Sequence, residues 1–310
     1  GKAKGRIDTS NPCVTGDTLV AGHGLKPIES LTGQFPKVIG ADGEAHEVRA
    51  VFPTGTKQVY LLETEAGYRL RLTADHKVWT TNRGDVAAKD LTPEDTVVLR
   101  GAEFTGKQHH PASAYAAGAA LVGGDMWEGT LTLSFEENER TKAEKVNQLL
   151  RDGLKSLTKT PTGWNITCVD WMESAALALL DEHLMELKAE ALNMDETASR
   201  NLIRGIMDQG AVSKGDRMSV ELESETLAFQ IQLLLLNFGV KASVKSKTLT
   251  ISGDDLTRYD ECQSIGERWR ANFLTGSTTP KVELTDKIKS LTPMGEEPVY
   301  DLTDPVTNHF

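Results

Sequence analysis

The sequence predicts a multidomain fold in which an all-β domain is interrupted by an α+β insert. Residues 13–101 form short alternating runs separated by Gly and Pro turn signals, a pattern typical of all-β domains. Between residues 107 and 270, apolar residues recur at helical spacing, with strand-like runs between the helical segments. Short strand-like runs return over residues 282–303. We therefore expect the β domain to continue after the insert.

Within the β domain, the clearest strands are predicted at residues 48–52, 58–63 and 68–73. The segments Pro53-Thr54-Gly55 and Glu65-Ala66-Gly67 separate them. Both are predicted to be turns, because Gly and Pro favour the backbone angles that turns require. Frequent punctuation of this kind predicts short strands.

The insert is predicted to be an internal duplication. Each half contains a small-residue helix, a strand and an amphipathic helix, which indicates a unit with pseudo-two-fold symmetry. The predicted helices cover about residues 112–122, 140–155, 171–192, 197–207 and 224–238, with strands at 130–135 and 217–222. The predicted boundaries are 13–106 and 273–310 for the β domain, 107–272 for the insert, and 1–12 for a polar leader.

Composition limits the function classes. A chain of 310 residues exceeds one ordinary core and suggests two or three domains. Three scattered cysteines are too few for a disulfide framework or a zinc site, which favours a reducing, cytoplasmic compartment. No run reaches the length of a membrane span, and no signal peptide is recognised, so no membrane partner is expected.

The charge argues against a nucleic-acid partner. The chain has 34 basic and 45 acidic residues and a net charge of −11. Residues 107–270 contain 18 basic and 25 acidic residues, so −7 of this charge lies in the insert. Proteins that grip a phosphate backbone usually carry a basic surface instead.

Three separate segments carry groups that could act together in acyl transfer. A cysteine thiol, a histidine able to transfer protons, and neighbouring hydroxyl and carboxylate groups make up such a set. Singly, each group has an ordinary structural interpretation, such as a small buried hydrophobe for the cysteine. The segments are Cys13 with Gly16-Asp17-Thr18, then Thr73-Ala74-Asp75-His76, and then Tyr300-Asp301-Leu302-Thr303.

In this order and spacing, the three segments resemble an intein of the Hint fold, a horseshoe-like all-β splicing domain. They lie on both sides of the insert, where inteins carry a homing endonuclease. The leader Arg6-Ile7-Asp8-Thr9-Ser10-Asn11-Pro12 before Cys13 is similar to a segment of ribonucleotide reductase large subunits. The resemblance implies that residues 1–12 are a tag plus a short N-extein of such a host, and that the partners are the flanking exteins.

The resemblance also implies a mechanism without a cofactor. The thiol of Cys13 attacks the carbonyl of Pro12, and the scissile Pro12–Cys13 peptide becomes a thioester in a single-turnover reaction. His76 positions or protonates the departing nitrogen, while Thr73 and Asp75 order the loop or polarise the carbonyl. Because the ring of Pro12 restricts its backbone, we expect slow or context-gated activation.

The end of the sequence departs from the family pattern. Asp301 is expected to tune the thiol and to couple this step to transfer onto a downstream nucleophile. A His about seven residues later is expected, but Asn308 stands there, with His309 beside it as the candidate. A terminal His-Asn pair would follow Phe310. The C-terminal step therefore needs a segment absent here, either truncated or supplied as a peptide in trans, as in a split intein.

The insert, over about residues 112–270, resembles LAGLIDADG homing endonucleases. In that family two packed helices each end in an acidic residue, and the pair holds the Mg²⁺ that cleaves DNA. Asp125 falls on the first acidic position. Gly210 falls on the second, and Asp208 is two residues early. We expect a degenerate structural insert with doubtful DNA binding, and Mg²⁺ at Asp125 only if the nuclease is active.

Three alternatives remain beside splicing. The first is a homing endonuclease or DNA-binding protein that cuts an intein-less allele, which the charge and Gly210 disfavour. The second is a Hedgehog-like autoprocessing domain, which would share the Cys and Thr-x-x-His pair without this insert or leader. The third, a regulatory β protein, leaves the ordered motifs unexplained.

Overall fold

The computed structural model describes residues 13–40, 42–104, 107–127, 130–150, 154–263 and 283–303. Its described residues divide into two compact units. The first, called the β unit, comprises residues up to Gly22, Lys26–Leu99 and those from Thr285 onward. The second, called the insert unit, comprises Arg100–Leu284 with His23–Leu25. The predicted interruption of one domain by another is therefore confirmed.

The secondary structure alternates short strands with six α-helices in the described ranges. The strands are β1 (Val14–Thr15), β2 (Leu19–Gly22), β3 (Gly24–Pro27), β4 (Lys37–Ile39), β5 (Ala45–Glu47), β6 (Val51–Thr64), β7 (Arg69–Thr73), β8 (Lys77–Thr80), β9 (Gly84–Ala87), β10 (Thr96–Leu99), β11 (Gly124–Trp127), β12 (Thr130–Glu136), β13 (Leu154–Lys159), β14 (Gly163–Cys168), β15 (Val212–Lys214), β16 (Arg217–Glu221), β17 (Ser243–Lys245), β18 (Thr248–Ser252) and β19 (Leu284–Leu302). The helices are α1 (Pro111–Gly123), α2 (Arg140–Leu150), α3 (Asp170–Leu177), α4 (Glu196–Gly210), α5 (Glu225–Asn237) and α6 (Asp254–Gln263).

The β unit is built on a seven-stranded sheet in the order β1-β7-β6-β19-β10-β8-β9, in which β1 also pairs with β19. A second sheet has the order β3-β2-β4-β5. The last strand, β19, lies antiparallel to β6 from Ile288 opposite Thr64 to Leu302 opposite Val51. Apolar side chains of these strands, including Val14, are buried in one core. Sequence on both sides of the insert thus completes one domain.

Two strand predictions in the β unit are wrong in their boundaries. The predicted turn at residues 53–55 lies inside β6, which continues through a β-bulge. The partner pairs there jump from Gly55–Val299 to Pro53–Tyr300, so Thr54 is the extra residue. A bulge absorbs a proline and a glycine without ending the strand. Similarly, the short runs predicted over residues 282–303 belong, from Leu284 to Leu302, to the single strand β19.

The insert unit repeats one arrangement twice. The first copy runs α1, β11, β12, α2, β13, β14, α3, and the second runs α4, β15, β16, α5, β17, β18, α6. Both sheets have the same order, β11-β12-β14-β13 and β15-β16-β18-β17. The predicted duplication is therefore confirmed, with more strands per copy than the sequence pattern indicated.

Two helix predictions in the insert were too long. The helix predicted over 140–155 ends at Leu150, and β13 begins at Leu154. The helix predicted over 171–192 ends at Leu177. Beyond it, the carboxylate of Asp181 accepts the backbone N–H groups of Met185 (2.6 Å) and Glu186 (2.9 Å). A local side-chain acceptor of this kind competes with helical hydrogen bonding.

The boundary between the two compact units lies before residue 107, the position at which the sequence composition changes. The backbone N–H of Ala102 donates to Oδ1 of Asn237 at 2.7 Å, and the ring of Phe104 lies 4.8 Å from that of Phe238. These contacts assign the residues after Leu99 to the insert unit. The predicted boundary at 272–273 falls outside the described residues.

Helices α1 and α4 pack face to face through small residues, as predicted. A Cβ atom on Gly118 would overlap the carbonyl oxygen of Leu202, and one on Gly205 would overlap that of Tyr115. Glycine at both positions therefore allows the two backbones to touch. Among the helices in the described ranges, none has both the length and the apolar composition needed to cross a bilayer.

Candidate splicing site

Strand β1 brings the predicted groups together. Val14 pairs with Leu72 of β7 on one side and with Tyr300 of β19 on the other. The residue before Val14 is Cys13, which therefore lies at the end of β7 and beside the strand that carries Asp301. Segments 60 and about 290 residues apart in the sequence thus meet at one point through strand pairing.

Thr73 fixes both backbone groups of Cys13. The amide nitrogen of Cys13 donates to Oγ1 of Thr73 at 3.2 Å, and the amide of Thr73 donates to the carbonyl of Cys13 at 2.9 Å. The first nitrogen belongs to the Pro12–Cys13 peptide, the predicted scissile bond. Thr73 therefore contacts one atom of that bond directly.

The Thr73–His76 segment is a turn held by backbone hydrogen bonds. The N–H of His76 donates to the carbonyl of Thr73 at 3.1 Å, and the carbonyl of His76 accepts the N–H of Ala88 at 2.8 Å. His76 is buried, with 8% exposure, and Asp75 is half-buried within the turn. His76 is thus held in the same turn as Thr73 and is shielded from bulk water.

The thiol of Cys13 is buried between apolar and polar groups. Cys13 is fully buried and packs with Val59 and Val299. Its Sγ lies 3.0 Å from Oγ1 of Thr54, and Nζ of Lys57 donates to Sγ at 3.2 Å. Sequence reasoning missed Thr54 and Lys57, because the bulge in β6 and its register with β19 determine their approach to the sulfur.

Asp301 carries a perturbed carboxyl group. Burial raises the pKa of Asp301 to about 6, while the N–H of Leu302 and the positive charge of Lys57 act in the opposite direction. The Leu302 N–H donates to Oδ1 of Asp301 at 2.8 Å. The Asp301 carboxyl group therefore titrates close to neutral pH, which is the pH range in which proton-transfer groups work.

The raised pKa of Asp301 predicts a pH-dependent stability. Because the folded pKa lies above the unfolded value, the folded state binds the proton more tightly, and stability falls as pH rises from about 4 to about 6. In Asp301→Asn, the fall in the free energy of unfolding between pH 4 and pH 6 should be smaller by about 1–3 kcal/mol. Urea unfolding between pH 4 and pH 7 measures this change in the free energy of unfolding. Glu296→Gln, at an exposed position of β19, is the control. Parallel pH curves for wild type and Asp301→Asn would contradict the assignment.

The Gly16-Asp17-Thr18 segment anchors the turn after β1. The carbonyl of Gly16 accepts the N–H of Glu29 at 3.0 Å. Asp17 forms an ion pair with Arg71 of β7 and accepts the hydroxyl of Thr15 at 2.7 Å. This motif therefore holds the turn that follows β1. Pro12, Asn308 and His309 lie outside the described residues, so their predicted roles remain predictions.

The acidic positions of the insert differ in their surroundings. Asp125 lies in β11 rather than in α1. Asp208, in α4, accepts the Tyr115 hydroxyl at 3.0 Å and Nε of Arg204 at 3.2 Å. Burial raises the pKa of Asp208, and Arg204 opposes this. The carboxylate of Asp208 is therefore bonded between the two helices.

The position of Gly210 is closely packed against α1. A Cβ atom on Gly210 would overlap the side chain of Val122 in α1. Within the described ranges, no group of three or more His, Cys, Asp or Glu side chains is arranged to hold a metal ion.

A β domain that is split by a duplicated insert, and that places a buried cysteine on a Thr-x-x-His turn, defines a class of proteins that process their own backbone. Residues 29–310 match the family model of the intein splicing domain. The chain therefore belongs to the intein splicing domain family.

Similar proteins come from two further comparisons. The chain is 25% identical over 384 residues to ribonucleoside-diphosphate reductase NrdEB subunit alpha of Bacillus subtilis strain 168, and the same values hold for that of Bacillus phage SPbeta. The match covers 96% of this chain and 35% of each relative, so the chain spans about a third of their length.

Two solved structures are similar to separate parts of the chain. The Ssp DnaB mini-intein variant M86 is 27% identical, with 29% of this chain and 61% of that chain covered and a TM-score of 0.27. Mesophilic variants of the homing endonuclease I-DmoI are 13% identical, with 50% and 97% covered and a TM-score of 0.38.

Proposed function

We propose that this chain carries out autocatalytic protein splicing and starts it by an N–S acyl shift at the Pro12–Cys13 bond. The observation that carries the proposal is the bond from the Cys13 amide nitrogen to Oγ1 of Thr73. The nucleophile and the atom that must leave belong to one residue, and Thr73 holds that residue in place. Such positioning lowers the entropic part of a barrier before chemistry begins.

The proposed step conserves atoms and charge. Sγ of Cys13 attacks the carbonyl carbon of Pro12, and an S–C bond forms. The bond from that carbon to the Cys13 nitrogen then breaks, and the electron pair returns to nitrogen. The proton lost by the thiol is balanced by one gained at nitrogen, for which Thr73 lies adjacent and His76 is the proposed donor. The product is a thioester with a free α-amino group on Cys13.

The later steps are proposed from family membership. Asp301, buried beside β1 and titrating near pH 6, couples the thioester to attack by a downstream nucleophile. Release of the C-extein needs an asparagine, which a C-terminal intein segment would supply. We propose a ribonucleotide reductase host, supported by the leader resemblance and by two relatives named as reductase subunits.

Trapping the thioester tests the acyl shift. The purified chain is incubated at pH 7–8 with an excess of a small thiol and hydroxylamine, and its products are measured by intact mass spectrometry. The proposal predicts release of residues 1–12 and a new chain that begins at Cys13. An intact chain after prolonged incubation would count against it.

We further propose that the insert does not cut DNA. A side chain at position 210 would have to displace Val122, and Asp208 is hydrogen-bonded to Tyr115 and Arg204. The insert also carries a net charge of −7 over residues 107–270, whereas phosphate binding needs clustered basic residues. We therefore assign it a structural role within the splicing protein.

A nuclease assay tests this second proposal. An intein-less reductase gene is incubated with the wild-type chain and Mg²⁺, with Asp125→Asn as the matched control. We expect no specific nicking by either protein. Specific Mg²⁺-dependent nicking by wild type that disappears in Asp125→Asn would show a working nuclease and refute the structural assignment.

A further inference from the structure

The amine of Lys57 is in direct contact with the proposed nucleophile. Its Nζ donates to Sγ of Cys13 at 3.2 Å. Cys13 is fully buried, and its apolar neighbours Val59 and Val299 would disfavour a charged sulfur. A positive charge at this distance has the opposite effect, because it stabilises a thiolate relative to a thiol. The contact thus offsets the cost that burial imposes on the reactive form.

Thr54, the second polar neighbour, is oriented to suit the thiol. Its hydroxyl donates to the carbonyl of Val299 at 3.2 Å, and its oxygen lies 3.0 Å from Sγ, where it can accept an S–H. An acceptor can receive an S–H but cannot stabilise a thiolate. Lys57 offers a donor and a charge instead. The two groups therefore match the two protonation states of Cys13.

The strand pairing explains how Lys57 reaches the sulfur. Lys57 lies in β6 opposite Glu297 of β19, two residues from Val59. The carboxylate of Glu297 accepts a hydrogen bond from Nη1 of Arg71 in β7 at 2.8 Å, so the negative charge of Glu297 is paired with Arg71. The bulge at Thr54 lies three residues before Lys57 in the same strand. Lys57 itself is half-buried, so solvent only partly screens its charge.

Other titratable groups surround the same point. Asp301 approaches on β19, and the charge of Lys57 acts on it as well. His76 and Asp75 lie in the turn after β7. A variant of Lys57 therefore changes the electrostatics of Cys13 and of Asp301 together.

We infer that Lys57 is a further catalytic residue of the acyl shift, whose amine donates to the Cys13 sulfur and stabilises the negative charge on it as it attacks Pro12. This inference rests on the proposed function. The thiolate attacks, and Lys57 keeps its proton throughout, so the proton that the nitrogen takes up comes from another group. Removal of the amine removes this charge-assisted hydrogen bond and should therefore slow the acyl shift by about tenfold or more.

The test measures thiol-induced cleavage at Pro12–Cys13 as a function of pH for wild type, Lys57→Met and Lys57→Arg. Lys287→Met, an exposed lysine of β19, is the matched control. Melting curves verify that each variant is folded. We expect Lys57→Met to react at least about tenfold more slowly at pH 7, with its pH midpoint moved to higher pH. Lys57→Arg should recover most of the rate, and Lys287→Met should match wild type.

Three outcomes separate the possibilities. If Lys57→Met matches wild type in rate and pH midpoint, the role of Lys57 is refuted. If it is uniformly slower, with an unchanged midpoint and no recovery in Lys57→Arg, Lys57 is a packing residue and the inference is again overturned. If wild type itself does not cleave at any pH, the proposed acyl shift fails, and the inference fails with it.

Discussion

Replacement of Cys13 by alanine is expected to abolish thiol-induced cleavage of the Pro12–Cys13 bond completely. In the proposed acyl shift the sulfur of Cys13 is the atom that attacks Pro12, and alanine has no nucleophile at that position. Because alanine fills the same buried pocket without a nucleophile, the loss should not depend on pH or on thiol concentration. Intact mass spectrometry of the products measures it.

Cys168→Ala and Cys262→Ala are the matched controls for this prediction. Both thiols are buried in the insert unit, and burial raises the pKa of Cys168 to about 12 and that of Cys262 above its usual value. Neither thiol should contribute a thiolate near neutral pH. Both variants should therefore cleave at the wild-type rate. Continued release of residues 1–12 from Cys13→Ala would contradict the assignment of the nucleophile.

Replacement of Gly205 by valine is expected to unfold the insert unit or to destabilise it by about 3 kcal/mol. Helices α1 and α4 approach so closely that a Cβ atom on Gly205 would overlap the carbonyl oxygen of Tyr115. A backbone atom cannot rotate away as a side chain can, so the helices must separate and uncover buried apolar surface. Gly118 makes the reciprocal contact with Leu202, and Gly118→Val should have a similar effect.

Limited proteolysis with mass mapping measures the effect of Gly205→Val in the insert. Gln148→Val places the same side chain on an exposed position of α2 and should change stability by less than about 0.5 kcal/mol. We expect cleavage within the insert to be much faster in Gly205→Val than in Gln148→Val. Equal resistance of the two variants would show that the close helix contact is absent.

The fold class was predictable because it depends on patterns of local sequence. Alternation predicted the β domain, helical spacing predicted the insert, and the similarity of its halves predicted the duplication. The errors arose where tertiary contacts override local signals. Pro53 and Gly55 predict a turn, but pairing with β19 carries the strand through them. The spacing over 171–192 predicts one helix, but α3 ends at Leu177, and Asp181 accepts backbone N–H groups of the segment beyond it.

The candidate site was predictable in part. Cys13, Thr73 and Asp301 were identified from motifs, and the structure brings them together around β1. Lys57 and Thr54 belong to no such motif. Their contact with the sulfur depends on the register of two strands and one bulge, a property of pairing between segments about 240 residues apart. The overlap between Gly210 and Val122 likewise depends on packing between two helices.

One measurement tests the central claim most directly. The chain is mixed with a synthetic C-terminal intein segment that ends in His-Asn and carries a reporter extein, and the products are identified by mass spectrometry. The account predicts a new species in which residues 1–12 are joined to the reporter by a peptide bond, and its absence when Cys13→Ala is used. If wild type gives neither this product nor any Cys13-dependent cleavage, protein splicing by this chain is contradicted.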